Sequence, residues 1–304
     1  AKELIEDGIV AMKIGPTIPV ATPSEGQYLA PNELDHVLKP FRDIRDAVGG
    51  DIKIANDGHG KWSLPVAIQI AKEMEKLDIM WQEDLMPLLN PQSLRQLQEA
   101  TTTPVCISER LLTRWQFREF IENGAAQIVM PDLIWTGGIT ETHRIAIMAS
   151  AHQVPVAPHD ATGPVNIFAC AQICMNSPNA MIMEHVRPYL YGWYGEMVDP
   201  LPPIENGWLH APENPGIGTR LRPEVFDRPD VETRVTGVDA MIPGMSDEGW
   251  AGVGLYDPKL STDNFSTAMW SDMENIFEFR AQESRLEEHF ETKTDEAQNA
   301  GDSK

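Results

Sequence analysis

Short apolar runs and amphipathic stretches take turns along this chain. The runs VAMKI (10–14), IKIAND (52–57), IMWQED (79–84), VCISE (105–109), QIVMPD (127–132), VPVAPH (154–159) and MIMEH (181–185) have strand length and strand composition. Between them, apolar residues recur at helical spacing. SLPVAIQIAKEMEKL opens on Ser63, placed to cap a helix, with Pro65 in the first turn. LTRWQFREFIENG stops on Gly124. GITETHRIAIMASAHQ and PVNIFACAQICMN keep the same rhythm. Strands that are apolar throughout, alternating with helices, predict a parallel sheet covered on both faces.

The ends of these strands carry the chemistry. Asp57, Glu83, Glu109, Asp132, His159 and Glu184 recur every 23 to 27 residues, each at the C-terminal end of a run. One such residue would read as a cap for the following helix. Six in succession, all acids or imidazole, point instead to a shared mouth. A doubly wound sheet would not bring six strand ends together; a (β/α)₈ barrel does, and its catalytic groups sit on that edge. Asp57, Glu83 and Glu109 offer oxygen donors suited to a hard divalent cation such as Mg²⁺. The competing reading pairs these acids with Arg110 and Arg114. In KIANDGHGKW, His59 lies two residues beyond Asp57. If the strand persists, both side chains face the mouth.

Charge and composition narrow the function. The 304 residues carry a formal net charge of −22 with 42% apolar residues. That leaves no basic surplus for nucleic acid, while the apolar fraction allows a sizeable core. Surplus acid is also what a salt-adapted surface carries. Three cysteines, Cys106, Cys170 and Cys174, lack CxxC spacing, which argues against a disulfide framework or a zinc site. No apolar run approaches the ~20 residues of a membrane span. The opening AKELIEDGIV is no signal peptide and lacks Met, so we expect a start inside a longer polypeptide.

The ordered set resembles the enolase superfamily in its mandelate racemase-like branch, over residues 1 to 236. It rests on Asp57, Glu83 in WQED, Glu109 in SERLLTRW, Asp132 in PDLIWTGGITE, His159 in APHDATGP and Glu184 in IMEH, with PENPGIGTRL (212–221) as a late glycine-rich segment. Asp57-x-His59 and the spacing are most similar to acid-sugar dehydratases of the D-galactonate dehydratase type. The resemblance implies Mg²⁺ held by Asp57, Glu83 and Glu109, with substrate carboxylate and 2-hydroxyl on the ion. It implies His159, oriented by Asp132, as the base at carbon 2. Glu184 would hydrogen-bond the enediolate oxygen if it carries a proton, and His59 would protonate the departing 3-hydroxyl. The product would be a 2-keto-3-deoxy sugar acid. A small-molecule sugar acid as partner, a homo-oligomer and a cytoplasmic location are expected with it.

Three departures accompany the resemblance. The Lys-x-Lys pair common in the family is a single Lys13 in AMKIGP: a second base as in racemases, a partner for the substrate carboxylate, or a lysine without a role. Leu85 stands where the family usually has Pro. The seven strands are one short of a closed barrel, and the family's first strand and N-terminal α+β capping domain should precede Ala1. Two alternatives therefore stay open: a racemase or epimerase of a 2-hydroxy acid, and a noncatalytic barrel fragment. Trp62, Trp135 and Trp193 are candidate pocket walls. Residues 237–304 form an acidic extension outside the resemblance, with a capping box at Ser271–Glu274, a helix after it and a disordered end. WAGVGLYD (250–257) is a candidate substitute strand.

Overall fold

Parallel pairing runs through the expected strands in chain order. In the computed structural model, residues 1–15, 24 and 26–230 are described. The chain divides into two units, Ala1–Val231 and Glu232–Lys304. The expected boundary after residue 236, the 250–257 strand, the helix after Ser271 and the disordered end lie outside the described residues. After helix α1 (Lys2–Glu6) come β1 (Ala11–Ile14), α2 (Pro31–Val48), β2 (Lys53–Asp57), α3 (Leu64–Glu75), β3 (Ile79–Glu83), α4 (Pro91–Glu99), β4 (Val105–Ile107), α5 (Thr113–Glu122) and β5 (Ile128–Val129). The sheet order is β1-β2-β3-β4-β5, every pair parallel. Next come α6 (Leu133–Thr136), α7 (Gly138–Ala151) and α8 (Pro164–Asn176). Ser63 caps α3 through its backbone alone, and Gly124 follows α5 with φ 64°.

The last two expected strands are present only as bridges. Val129 pairs with Val156, Asp132 with His159, and Val156 with Ala180, all parallel. Met181 and Glu184 donate their N–H groups to Val156 O and Pro158 O. The reason is in VPVAPH: Pro155 and Pro158 have no N–H to give a ladder. The seven parallel segments make a partial (β/α)₈ barrel. A cavity of about 610 Å³ lies between β1 and the 180–188 stretch, lined by Met12, Trp81, Met130 and Met183 among others. This junction is where the strand count is one short.

Alternation sorts the core into two layers. Ile54, Ile79, Val105, Ile107, Val129 and Val156 face outward, packed with helix residues such as Phe41, Ile70 and Phe117. Ala55, Trp81, Cys106, Ile128, Met130 and Ala157 face the barrel interior. Strand β3 breaks the alternation once. Ile54 pairs with Ile79 but Asn56 pairs with Gln82, so β3 holds one extra residue. Met80 and Trp81 consequently both pack inward, Gln82 faces out and accepts from Asn56 Nδ2 at 3.0 Å, and Glu83 returns to the interior. Without that bulge Glu83 would point into the helix layer.

The chain returns through α9 (Arg187–Tyr191), α10 (Tyr194–Met197), β6 (Val198–Asp199), β7 (Ile204–Glu205), β8 (Trp208–Leu209) and β9 (Arg220–Leu221). Strands β6 and β9 pair, as do β7 and β8, both antiparallel. Asn206 and Gly207 turn the second hairpin with φ of 49° and 76°. Glycine is required there, because a Cβ on Gly207 would stand 2.0 Å from Gly8 O.

Candidate active site

Register assembles the first pairs. Asp57 and Glu83 are neighbours across β2–β3, and Asp132 and His159 across their bridge. A long side chain ties these pairs together. Lys13 Nζ, reaching in from β1, lies 2.9 Å from Glu83 Oε1 and 2.7 Å from Glu184 Oε1. His159 Nδ1 stands 2.8 Å from Asp132 Oδ2. A carboxylate only accepts, so Nδ1 carries the proton. Nε2 is left facing Glu184 Oε2 at 3.7 Å and Glu109 Oε2 at 3.8 Å. Strand pairing and these contacts link Lys13, Asp57, Glu83, Glu109, Asp132, His159 and Glu184 at one mouth.

Asp132 serves two readings at once. Its Oδ1 accepts from Ile134 N and Trp135 N, capping α6. Its Oδ2 receives His159 Nδ1 and, at 3.0 Å, Thr162 Oγ1. His59 reaches the mouth by another route than the one expected. The strand ends at Asp57, and His59 has φ 49°, in the left-handed region. The turn folds it back so that its N–H and its Nε2 each lie 3.0 Å from an Asp57 oxygen. The ring is 39% exposed, on the open side of the mouth.

The arginines do not take these acids. Arg114 pairs with Glu141 at 2.5 Å, and Arg110 lies 3.7 Å from Asp84. Acid therefore outweighs base, and the titrations follow. Burial pushes Glu83 up to about 7 against the pull of Lys13, with Asp57 and Glu184 adding repulsion. Burial opposes ionisation of Asp57, but His59 and Lys13 bring it below the ordinary carboxylate range. Glu109 is also lowered, burial again opposing and His159 prevailing. Burial drags His159 down, yet the bond to Asp132 and the charges of Glu184 and Glu109 push it up to about 9. Lys13 is raised well above its ordinary value: burial lowers it, and Glu83, Glu184 and Asp57 more than offset that.

The donor set fits a hard divalent cation in kind and in charge: three carboxylates, two of them in register, one pushed up to about 7 by burial and by its acidic neighbours. It is not closed into a cage. Among the described residues no three acids, histidines or cysteines converge as a metal cluster. The cause is visible in the partners, since Glu83 faces Lys13, Asp57 faces His59, and Glu109 faces His159. Shared coordination requires these carboxylates to rotate off their basic neighbours.

Other residues were not foreseen. Asp84 is buried beside Glu83, its carboxylate accepting from Ser108 N and Oγ. Asp160, next to His159, is fully buried; its N–H donates to Glu184 Oε2 at 3.1 Å. Burial, with the charges of Glu184 and Asp132, pushes its carboxyl up to about 7 although Asn166 donates to it. Asn166 sits under the His159 peptide. The only signal for Asp160, Thr162 and Asn166 was their crowding behind His159 in HDATGPVN. Of the candidate walls, Trp62 is buried in the outer core, while Trp135 and Trp193 are exposed. The three cysteines are free, Cys106 and Cys170 buried.

Comparison places this geometry among known proteins. Residues 1–225 match the family model described as enolase C-terminal domain-like. D-xylonate dehydratase of Haloferax volcanii is 32% identical over 195 residues, covering 64% of this chain and 47% of that protein. D-galactonate dehydratase of Variovorax paradoxus is 30% identical over 200 residues, covering 64% and 52%. The chain thus spans about half the length of the curated relatives it matches. A crystal structure of an enolase of the mandelate racemase subgroup from Agrobacterium tumefaciens, with a succinimide residue, superposes with TM-score 0.71 at 40% identity, over 75% of this chain and 62% of that one. An enolase protein from Sargasso Sea environmental sequencing gives 0.71 at 35% identity, over 75% and 62%.

Proposed function

The chain belongs to the enolase C-terminal domain-like family, and from that premise we propose that its barrel mouth dehydrates a sugar acid to a 2-keto-3-deoxy acid. Supporting this are the relatives named D-xylonate and D-galactonate dehydratase. The observation that carries it is the imidazole of His159, held by Asp132 at one nitrogen and presenting the other between Glu109 and Glu184.

In the neutral form of the ring, which gains population as pH rises toward about 9, His159 Nε2 takes the proton from carbon 2 of the sugar acid. Asp132 keeps the ring in the required tautomer and stabilises the imidazolium that forms. Glu184, 3.7 Å from that nitrogen and 2.7 Å from Lys13 Nζ, hydrogen-bonds the enediolate oxygen when it carries a proton, and the Lys13 ammonium attracts the substrate carboxylate. As the carbon–oxygen bond at carbon 3 breaks, its electron pair leaves with the oxygen. His59, more exposed and across the mouth, protonates it to water. The enol then tautomerises to the keto acid. Asp57, Glu83 and Glu109 would hold Mg²⁺, which when bound supplies Lewis acidity to the substrate carboxylate. Lys13 is not a second base in this reading, because two carboxylates hold its ammonium. No helix among the described residues is long and apolar enough to cross a membrane.

The test is to incubate the chain with Mg²⁺ and a panel of aldonates and aldarates in D₂O, beginning with D-xylonate and D-galactonate. A keto acid trapped by semicarbazide supports the reading. Inversion without loss of water assigns a racemase, and magnesium binding without exchange or turnover assigns a noncatalytic barrel. His159→Asn abolishes carbon-2 exchange. His59→Asn keeps exchange and loses about 10²–10⁴-fold in elimination. Equal loss of exchange in both variants refutes the division of labour.

A further inference from the structure

We propose that Asn166 is a positioning residue for the His159–Asp132 pair, clamping the strand end that carries the base against the first turn of α8. The proposal rests on the assignment of His159 as the base. Asn166 is the third residue of α8 and 1% exposed. Its Nδ2 lies 3.2 Å from His159 O, 3.1 Å from Asp160 Oδ1 and 3.5 Å from Asp132 Oδ2. All three neighbours are acceptors, so the amide nitrogen must face them. Its Oδ1 is buried with no hydrogen-bond partner among the described residues.

The three contacts fix distances that chemistry needs. The bond to His159 O holds the peptide from which the imidazole hangs. The approach to Asp132 Oδ2 adds a donor to the oxygen that already takes His159 Nδ1 and Thr162 Oγ1. The bond to Asp160 steadies the residue whose N–H holds Glu184 Oε2. One amide thus ties the base to its orienting carboxylate and to the acid on the neighbouring segment. A base works only when held within about 0.5 Å of its productive place, and nothing else among the described residues joins all three groups.

Two substitutions test the clamp. Asn166→Leu keeps the shape and removes the donors, and Asn166→Asp keeps the outline and replaces donors by acceptors. The first measurement is the downfield proton resonance of His159 Nδ1–H, identified by its absence in His159→Gln. We expect it to shift upfield or vanish through faster exchange with water in both variants, while the thermal unfolding transition persists. The second is carbon-2 proton exchange at saturating sugar acid, which should fall about 10- to 100-fold, as loss of an outer-shell partner does, with KM unchanged. A folded variant that keeps both the resonance and the exchange rate overturns the proposal. Loss of the fold in both variants also overturns it, because Asn166 would then serve only the core. Should the unsubstituted chain exchange no sugar-acid proton, the assignment of the base fails, while the resonance still reports the clamp.

Discussion

Replacing Glu83 by Gln removes a charge and keeps the shape of a fully buried acid at the mouth. Glu83 is fully buried, faces Lys13 at 2.9 Å and accepts from Trp81 Nε1 at 3.1 Å. Burial and the neighbouring carboxylates lift it from an ordinary 4.5 to about 7. The folded chain therefore binds this proton more readily than the unfolded chain. Its contribution to stability is complete below pH 4.5 and is lost as pH rises through about 7. At ~1.4 kcal/mol per pH unit, the gap amounts to about 3 kcal/mol. Glu83→Gln cannot titrate, so its stability should decline less over that window by about that amount. Lys13 keeps its 2.7 Å contact with Glu184 in the variant. Asp160, lifted to about 7, and His159, lifted to about 9, fall in the same direction in both proteins and cancel in the difference. The assay is denaturant unfolding followed by tryptophan fluorescence between pH 4 and 8, with a chelator present. Parallel stability curves for the two proteins would refute the claim that burial holds this carboxyl partly neutral.

Adding Mg²⁺ should raise the unfolding free energy by about 2.7 kcal/mol at a hundredfold excess over Kd. Glu109→Gln and Asp57→Asn should reduce the effect, and calorimetric titration should show binding weaken below pH 7, where Glu83 holds its proton. Asp132→Asn keeps one acceptor oxygen and puts an NH₂ group either where Ile134 and Trp135 donate or where His159 and Thr162 donate. It should cost about 1–3 kcal/mol by the loss of buried bonds, read by thermal melts, and abolish carbon-2 exchange. Gly58→Ala places a Cβ 2.7 Å from Leu85 Cα and 3.0 Å from Asp84 O. Overpacking of this kind costs about 1–3 kcal/mol and should displace His59, so elimination should fall more than exchange does.

The chain alone determined the strands, their parallel pairing and the order of the site. Apolar runs with one ionisable end carry that information locally, and it holds for Asp57, Glu83, Glu109, Asp132, His159 and Glu184. Helix limits at Gly124 and Pro164 were equally local, because backbone chemistry sets them. Prolines in VPVAPH were visible too, although their effect on the ladder was realised only beside Val129 and Ala180. Three-dimensional packing decided what spacing cannot encode. A single bulge in β3 sets which face Glu83 takes, and a turn with positive φ, not strand alternation, brings His59 over Asp57. The role of Lys13 was open in the sequence because its partners lie far along the chain, at Glu83 and Glu184. Asp160 and Asn166 carried no pattern of their own in the sequence; their burial and their bonds to Glu184 and to the His159 peptide arise only on packing. Local patterns record which face a residue prefers; the identity of its partner, and so its charge and its chemistry, depends on contacts that form only when distant segments pack.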